Sequence, residues 1–452
     1  MKILVCIANY GLKNNIYVKR LIEEYSSFTK HVDIVILSDI LKNYGDGIDI
    51  HIGLPNKNPR SLPFGWKKVF YEKLNDYDIF IYTEDDTLIT ENHLNLFIDS
   101  TKELPEDKIL GFLRYEVDKN GNKFCSSIHS HYHWKVGSVE KYGNNFYAHF
   151  TNLHGACFIL TRKHLKKCLK NDNFMRSPCV GQYDMQCTAA TEPYTVGGLE
   201  KVINISEIEK CIVHHLPNQY LDRMGIPYNQ MHKQLGRMIE LGNNENRQII
   251  PDSTNINDYK WEKIYYGKDD DLNIKLIPQN IKTVLFIGIG IGRLEDIMLS
   301  LGLSVDAIPL DMYMSVLLEE KGIRCFNPCI ENFNIENKYD LITFSDILSY
   351  YPDNSIIFML TKKILADDGV ILIRFNNFNY LKNRFVKLSS LDFHKKIQYK
   401  PYTFSKIKKE LTKYGFSVNK AEFVVPEKLK GINLGPLKDL FSKEVLITAK
   451  KI

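Results

Sequence analysis

Short apolar runs alternate with amphipathic stretches through the first part of the chain. Ile3–Ala8 is continuously apolar, residues 18–25 carry apolar side chains at helical spacing, and Val32–Leu37 is again a short apolar run. Residues 66–74 repeat the amphipathic pattern and Ile79–Tyr82 closes the series. Runs of this length between helix-periodic segments predict βαβαβ, a parallel sheet with helices on its faces. From about Leu221 to Asp271 the periodicity fades into sequence rich in Asn and Asp, such as NNENRQIIPDSTNIND, which predicts a linker with a lead-in helix. A second α/β series opens at Thr283 with TVLFIGIGIGRL and continues through SVDAIPL, YDLITFSDIL and GVILIRF to a final KEVLITAKK. A series that restarts after a polar gap marks a new domain. The expected organisation is therefore α/β throughout, with one domain over residues 1–222, a linker over 223–260 and a second domain over 261–452.

Composition narrows the class of function without naming it. A chain of 452 residues exceeds one ordinary core, and 44% apolar with 25% charged residues is the balance of a globular protein. The net charge of +5 is spread over lysines interleaved with acids, so nucleic acid is not an expected partner. The nine cysteines form no CxxC pair and fit reduced thiols in the cytoplasm. The opening apolar run is too short for a signal peptide, and no stretch reaches ~18 apolar residues, so no transmembrane segment is expected.

The first concentration of chemistry is Glu84-Asp85-Asp86, directly after the apolar run Ile79–Tyr82. Ligands of open α/β sheets bind at the carboxyl ends of strands. Adjacent acids repel, so a cation or a hydroxyl-rich ligand is the natural compensation. Hard carboxylate oxygens suit Mg²⁺ or Mn²⁺ chelated to a diphosphate. The alternative is a solvated turn with acids capping a helix.

At these residues the sequence resembles the GT-A glycosyltransferases, whose D-x-D motif stands at this strand end. The resemblance implies Glu84 or Asp85 near a ribose and Asp86 on the metal. It extends to Asn9 and Tyr10 after the first strand and to Asp39 after the second, positions that border the nucleotide pocket. His154-Gly155-Ala156-Cys157-Phe158-Ile159-Leu160-Thr161-Arg162 looks like the strand beside the acceptor site. Gly181-Gln182-Tyr183-Asp184 occupies the place of the segment that supplies a general base, with Tyr183 where an acid is usual. Asp184 is the expected base, with Glu192 in reserve, since an attacking hydroxyl must surrender its proton to a carboxylate within reach. His214 and His215 end a short apolar run and are candidates to complete the metal shell. His129, His131 and His133 share one strand face by period two, but no further ligand lies at a supporting spacing, and zinc is not assigned.

In the second series Gly288, Gly290 and Gly292 follow an apolar strand, where glycine lets the backbone turn tightly against a ligand. This segment, with Tyr339-Asp340-Leu341-Ile342, Leu365-Ala366-Asp367-Asp368-Gly369-Val370 and Tyr414-Gly415-Phe416, resembles class I S-adenosylmethionine-dependent methyltransferases over most of residues 261–452. The acids that hold the cofactor in that family are replaced here by Phe286, Pro309 and Cys329, and a frequent catalytic-region His by Tyr350. Asp311 or Glu331, each two residues away, are the candidate substitutes for cofactor binding.

The reading that follows is a GT-A fold joined to a Rossmann-like class I methyltransferase fold. Its expected activity is transfer of a sugar from a nucleoside diphosphate sugar, UDP-sugar favoured, to a glycan acceptor with Mn²⁺ or Mg²⁺. The second domain is expected either to O-methylate the glycan with S-adenosylmethionine or to serve as a scaffold or glycan-binding module. A nucleotidyltransferase and a binding protein without turnover are the rival classes.

Overall fold

The computed structural model describes residues 1–125, 134–135, 137–221, 226–242, 276–289, 293–310, 312, 315–328, 335–345, 347–349, 351, 353–381 and 400–452. The chain divides into two compact units, Met1–His232 and Lys233–Ile452. The division falls inside the helix Tyr228–Leu241, which lies within the expected linker, and residues 243–275 lie outside the described set.

The first unit is built on the predicted parallel sheet. Strand β1 (Lys2–Asn9) pairs in parallel with β2 (His31–Ser38), which pairs in parallel with β3 (Ile48–Ile52). On its other side β1 pairs in parallel with β4 (Ile79–Glu84). Every residue of β1 after Lys2 and every residue of β4 is buried, as a sheet covered on both faces requires. The helices Asn15–Ser26 and Gly65–Glu72 make the crossovers. Trp66 and Phe70 from the second of these meet Phe80, Tyr82, Phe158 and Phe174 in one aromatic cluster.

Immediately beyond β4 the chain turns through Asp85 and Asp86 into β5 (Thr87–Leu88). Short strands follow: β6 (Lys108–Leu110), β7 (Leu113–Val117), β8 (Lys123–Cys125), β9 (Glu140–Tyr142) and β10 (Asn145–Ala148). Strand β11 (Cys157–Thr161) then returns to the first sheet, antiparallel to β4. Last come β12 (Glu200–Asn204), β13 (Ile212–His215) and β14 (Ile226–Pro227). Two further sheets result, ordered β6-β12-β10-β9 and β14-β8-β7-β13-β5. Because β5 belongs to the latter, the acid turn stands where the chain passes from one sheet to another.

The second unit holds β15 (Thr283–Ile289), β16 (Ser304–Pro309), β17 (Arg324–Cys325), β18 (Tyr339–Ser345), β19 (Leu365–Asn376), β20 (Phe416–Val424) and β21 (Glu444–Lys451). Their order is β17-β16-β15-β18-β19-β21-β20, parallel except for β21, which runs antiparallel between β19 and β20. The order reverses between β15 and β18, the switch point at which doubly wound sheets open a crevice. At the opposite, amino-terminal ends of these two strands Asp340 accepts the backbone N–H groups of Lys282 at 2.8 Å and Thr283 at 3.0 Å. The core gathers Val284, Phe286, Met298, Val305, Leu318, Leu341 and Leu372.

Candidate active site at the carboxyl end of the first sheet

The acid turn is held by groups from four directions. Glu84 N–H donates to Ala156 O at 2.9 Å, and Ala156 takes φ of 58°, a left-handed conformation that costs free energy for a residue with a Cβ. His154, two residues earlier, places Nε2 3.4 Å from Glu84 Oε1. The motif quoted around Gly155 thus reaches Glu84 through both backbone and side chain.

Asp85 is clamped by two amides. Asn9 Nδ2 and Asn14 Nδ2 each donate to one of its carboxylate oxygens at 2.7 Å. The Asn9 side-chain oxygen accepts in turn from Lys42 Nζ and lies 3.0 Å from the Tyr44 hydroxyl, so the loop after β2 orients the clamp. Asp39 sits beside it, accepting Gly11 N–H at 2.8 Å. Tyr10 leaves the cluster and is half exposed. Asn9, Asp39 and Asp85 thus stand at the carboxyl ends of the adjacent strands β1, β2 and β4.

Asp86 meets its partner through strand pairing. In the antiparallel pair of β5 and β13, His215 stands opposite Thr87 and His214 opposite Leu88. Leu216 N–H donates to Asp86 O at 2.9 Å, and His215 Nε2 lies 3.4 Å from Asp86 Oδ2. The other ring nitrogen, Nδ1, is 2.6 Å from Glu116 Oε1, and the ring stacks on Tyr220 with centroids 5.3 Å apart. His214 points to the opposite face of β13, stacked on Tyr115 at 5.0 Å and facing Asn218 Oδ1 at 3.1 Å. The expected role of His214 as a metal ligand is corrected on this ground, since neighbouring residues of a strand face opposite sides.

Crowded, buried anions dominate the electrostatics. Burial, reinforced by Asp86, pushes the Glu84 carboxyl up to about 8 against the pull of Arg114 and His215. Burial and Asp86 likewise raise Asp85 to about 6, against the hydrogen bonds from Asn9 and Asn14. For Asp86, burial alone would raise the carboxyl, but His215 and Arg114 outweigh it and hold the group below its ordinary value. Burial opposes a charge on His215, yet its bonds to Asp86 and Glu116 prevail and raise it. His154 is held well below the imidazole range by burial and by Arg114 and Lys201.

Among the described residues, no three His, Cys, Asp or Glu side chains are arranged to hold a metal by themselves. Asp86 and His215 supply one oxygen and one nitrogen on a shared edge, with Glu116 fixing the imidazole from behind. An oxygen and an imidazole nitrogen are a donor pair that suits a hard or borderline cation.

Asp184 caps the helix Met185–Ala189, accepting Cys187 N–H at 2.9 Å. It is exposed, and its charge bears on both Glu84 and His154. Glu192 is a different case. It is fully buried, paired with Lys67 and, at 3.0 Å, with Arg176 Nη2, while Lys67 Nζ also donates to Phe174 O at 2.6 Å. A carboxylate consumed by two cations in the core cannot reach an acceptor, so the reserve role for Glu192 is withdrawn.

The sequence did not mark Asn14, Lys42, Arg114 and Glu116 as members of this site. Arg114 and Glu116 carried a signal: in β7 they are two charged residues at period two, both buried, while Tyr115 faces the other way. Charged residues on the inward face of a strand need partners, and these find the acid turn and His215.

In the second unit, Gly288 takes φ of 79° with its α-carbon so close to Ile347 that an added Cβ would lie 2.8 Å from the Ile347 side chain. Gly290, Gly292, Asp311, Glu331, Cys329 and Tyr350, and in the first unit His129, His131 and His133, lie outside the described residues. Phe286, Pro309 and Leu310 are buried. Among the described residues, the carboxyl ends of β15 and β16 thus present no carboxylate to a ribose. The acid of β16, Asp306, is engaged earlier in the strand by Arg324 and by the Tyr339 hydroxyl at 2.6 Å.

None of the eight described cysteines is disulfide-bonded, and no described helix is long and apolar enough to cross a membrane. No family model matches the chain, and no curated protein matches it. Among solved structures it is similar to a S-adenosylmethionine-dependent methyltransferase of Archaeoglobus fulgidus, 18% identical, covering 42% of this chain and 98% of that one at a TM-score of 0.33. It is similar to another from Mesorhizobium loti, 16% identical over 40% of this chain and 95% of that one, TM-score 0.32. The 1,6-didemethyltoxoflavin-N1-methyltransferase of Burkholderia thailandensis, 18% identical, covers 37% of this chain and 70% of its own at a TM-score of 0.29.

Proposed function

We propose that the first unit transfers a sugar from a nucleoside diphosphate sugar, UDP-sugar favoured, to a hydroxyl of a glycan acceptor. The observation that carries the reading is the pairing of β5 with β13, which sets His215 against Asp86 beside two carboxyls pushed above their ordinary range. Such a cluster is short of positive charge. Mn²⁺ or Mg²⁺ held by Asp86 and His215 would relieve it, and when bound would neutralise charge on the departing diphosphate. Asp85, already aimed by Asn9 and Asn14, accepts from ribose hydroxyls, with Asp39 toward the base. Glu84, kept protonated by burial, adds no further negative charge beside the diphosphate. Asp184 takes the proton of the attacking acceptor hydroxyl.

The test is release of nucleoside diphosphate from a panel of sugar nucleotides with Mn²⁺, for the wild type and for Asp184→Asn. Removing the base lowers turnover by about 10²-fold or more while leaving donor affinity in place. Equal turnover in the variant would remove Asp184 from the mechanism. A nucleotidyltransferase would instead release pyrophosphate from a nucleoside triphosphate, which is assayed beside the panel.

For the second unit we propose a methyltransferase-like module. One reading has it O-methylate the glycan with S-adenosylmethionine held at Gly288, Gly290, Gly292, Asp311 and Glu331. The other, a scaffold or glycan-binding role, is favoured by the buried apolar residues Pro309 and Leu310 at the end of β16. A calorimetric titration with S-adenosylmethionine separates them: heat of binding supports the first, its absence the second.

A further inference from the structure

The first unit carries a basic groove at the end of its sheet opposite the acid turn. Thr161 pairs with Ile79 at the start of β4, whereas Glu84 ends that strand, roughly 16 Å further along at the usual rise per residue. Beside Thr161 opens a cavity of about 790 Å³ whose cations are Lys108, Arg162, Lys163, Lys166, Lys167 and Lys170. Leu104 and Pro105 give it an apolar wall, and Glu106 is its one acid.

Four of the lysines form a stripe. Lys163, Lys166, Lys167 and Lys170 fall at i, i+3, i+4 and i+7 along the helix Arg162–Cys168 and its first following turn, so they share one face. Glu106 is already taken: Lys163 pairs with its carboxylate and Lys167 Nζ donates to its carbonyl at 3.2 Å. Arg162 is tied to Asp78 at 3.0 Å, and Lys108 to Glu200 at 2.9 Å and Glu140 at 3.3 Å. Lys166 and Lys170 are exposed and have no acid within ion-pair distance among the described residues.

We propose that this groove docks the first unit onto an anionic lipid surface. A site for a small free anion is built from buried, convergent donors with fixed geometry, whereas this one presents long, exposed lysine stems around an apolar wall. Flexible point charges on one helix face suit a layer of acidic headgroups. Docking there leaves the opposite end of β4, with Glu84, Asp85 and Asp86, open to a donor and an acceptor. The inference stands independently of the sugar-transfer reading, because it uses none of its residues.

The test is co-sedimentation of the full chain with phosphatidylglycerol–phosphatidylcholine vesicles and with phosphatidylcholine alone, in low and high salt. The variants are Lys166→Gln with Lys170→Gln, and a control pair of equal charge on the second unit, Lys408→Gln with Lys409→Gln. The wild type and the control pair sediment with anionic vesicles in low salt only, and the groove pair partitions roughly 20-fold more weakly. No wild-type sedimentation, equal binding by the two double variants, or binding to neutral vesicles would each overturn the proposal. So would capture of inorganic phosphate at the groove without vesicle binding, which would make it a site for a soluble anion.

Discussion

Two adjacent histidines make opposite predictions. His215 faces Asp86 and is aimed by Glu116, whereas His214 stacks on Tyr115 on the far side of the strand. His215→Ala should therefore abolish the dependence of nucleotide binding on Mn²⁺. His214→Ala should leave it intact and cost only the stacking, about 1 kcal/mol of stability in thermal unfolding. Equal loss in both variants would mean that strand register does not decide which ring meets the cation. The sequence offered both rings without a means of choosing, because the choice depends on β5, a two-residue strand with no periodicity to read.

A second titratable residue supplies a pH test away from that site. Burial lifts the Glu295 carboxyl to about 8, against weaker opposing pulls from its own backbone and Lys321. In the unfolded chain the group ionises near its ordinary value of 4.5. Between these limits the folded chain holds a proton that the unfolded chain releases, so rising pH removes stability by about 1 kcal/mol per pH unit. Glu295→Gln should flatten the fall in Tm between about pH 5 and pH 8. A variant with the wild-type pH profile would show that the carboxyl ionises normally in the fold.

Among elements, the long apolar strands were legible and the short ones were not. The runs predicted at Ile3–Ala8, Val32–Leu37 and Ile79–Tyr82 appear as β1, β2 and β4 with boundaries extended by one or two residues. In β1 and β4 such runs are buried on both faces, so burial writes itself into every position of the run. Strands β6, β8 and β9 have three residues each, too few for an alternation to emerge. Glu192 was misread for a related reason. Its carboxylate joins the helices Gly65–Glu72 and Glu192–Thr195 through Lys67, a contact spanning 125 residues. Glu192→Ala leaves Lys67 buried without its acid and should cost about 3–5 kcal/mol, read as a fall in the urea midpoint. A surface role for Glu192 predicts almost no change.

At the scale of the whole molecule, the α/β pattern that restarts at Thr283 lies in the second unit, whose described sheet order reverses between β15 and β18. The replacement of acids by Phe286 in β15 and Pro309 at the end of β16 was legible in the sequence, and the fold buries both residues. Stabilisation by ligand follows mass action, so the two units can be probed in one thermal-shift series with a nucleotide sugar and with S-adenosylmethionine. A shift with the nucleotide sugar alone assigns binding to the first unit and a supporting role to the second; shifts with both assign cofactor binding to each.

Sugar transfer at this site requires Asp86 and His215 to hold a cation against a diphosphate. Calorimetric titration of UDP into the full chain, with and without Mn²⁺, addresses that arrangement most directly when repeated on Asp86→Asn. The expected result is binding that requires Mn²⁺ in the wild type and weakens by about 10-fold or more in the variant, as loss of a charged ligand contact implies. Binding indifferent to Mn²⁺, or equally tight in Asp86→Asn, would contradict it.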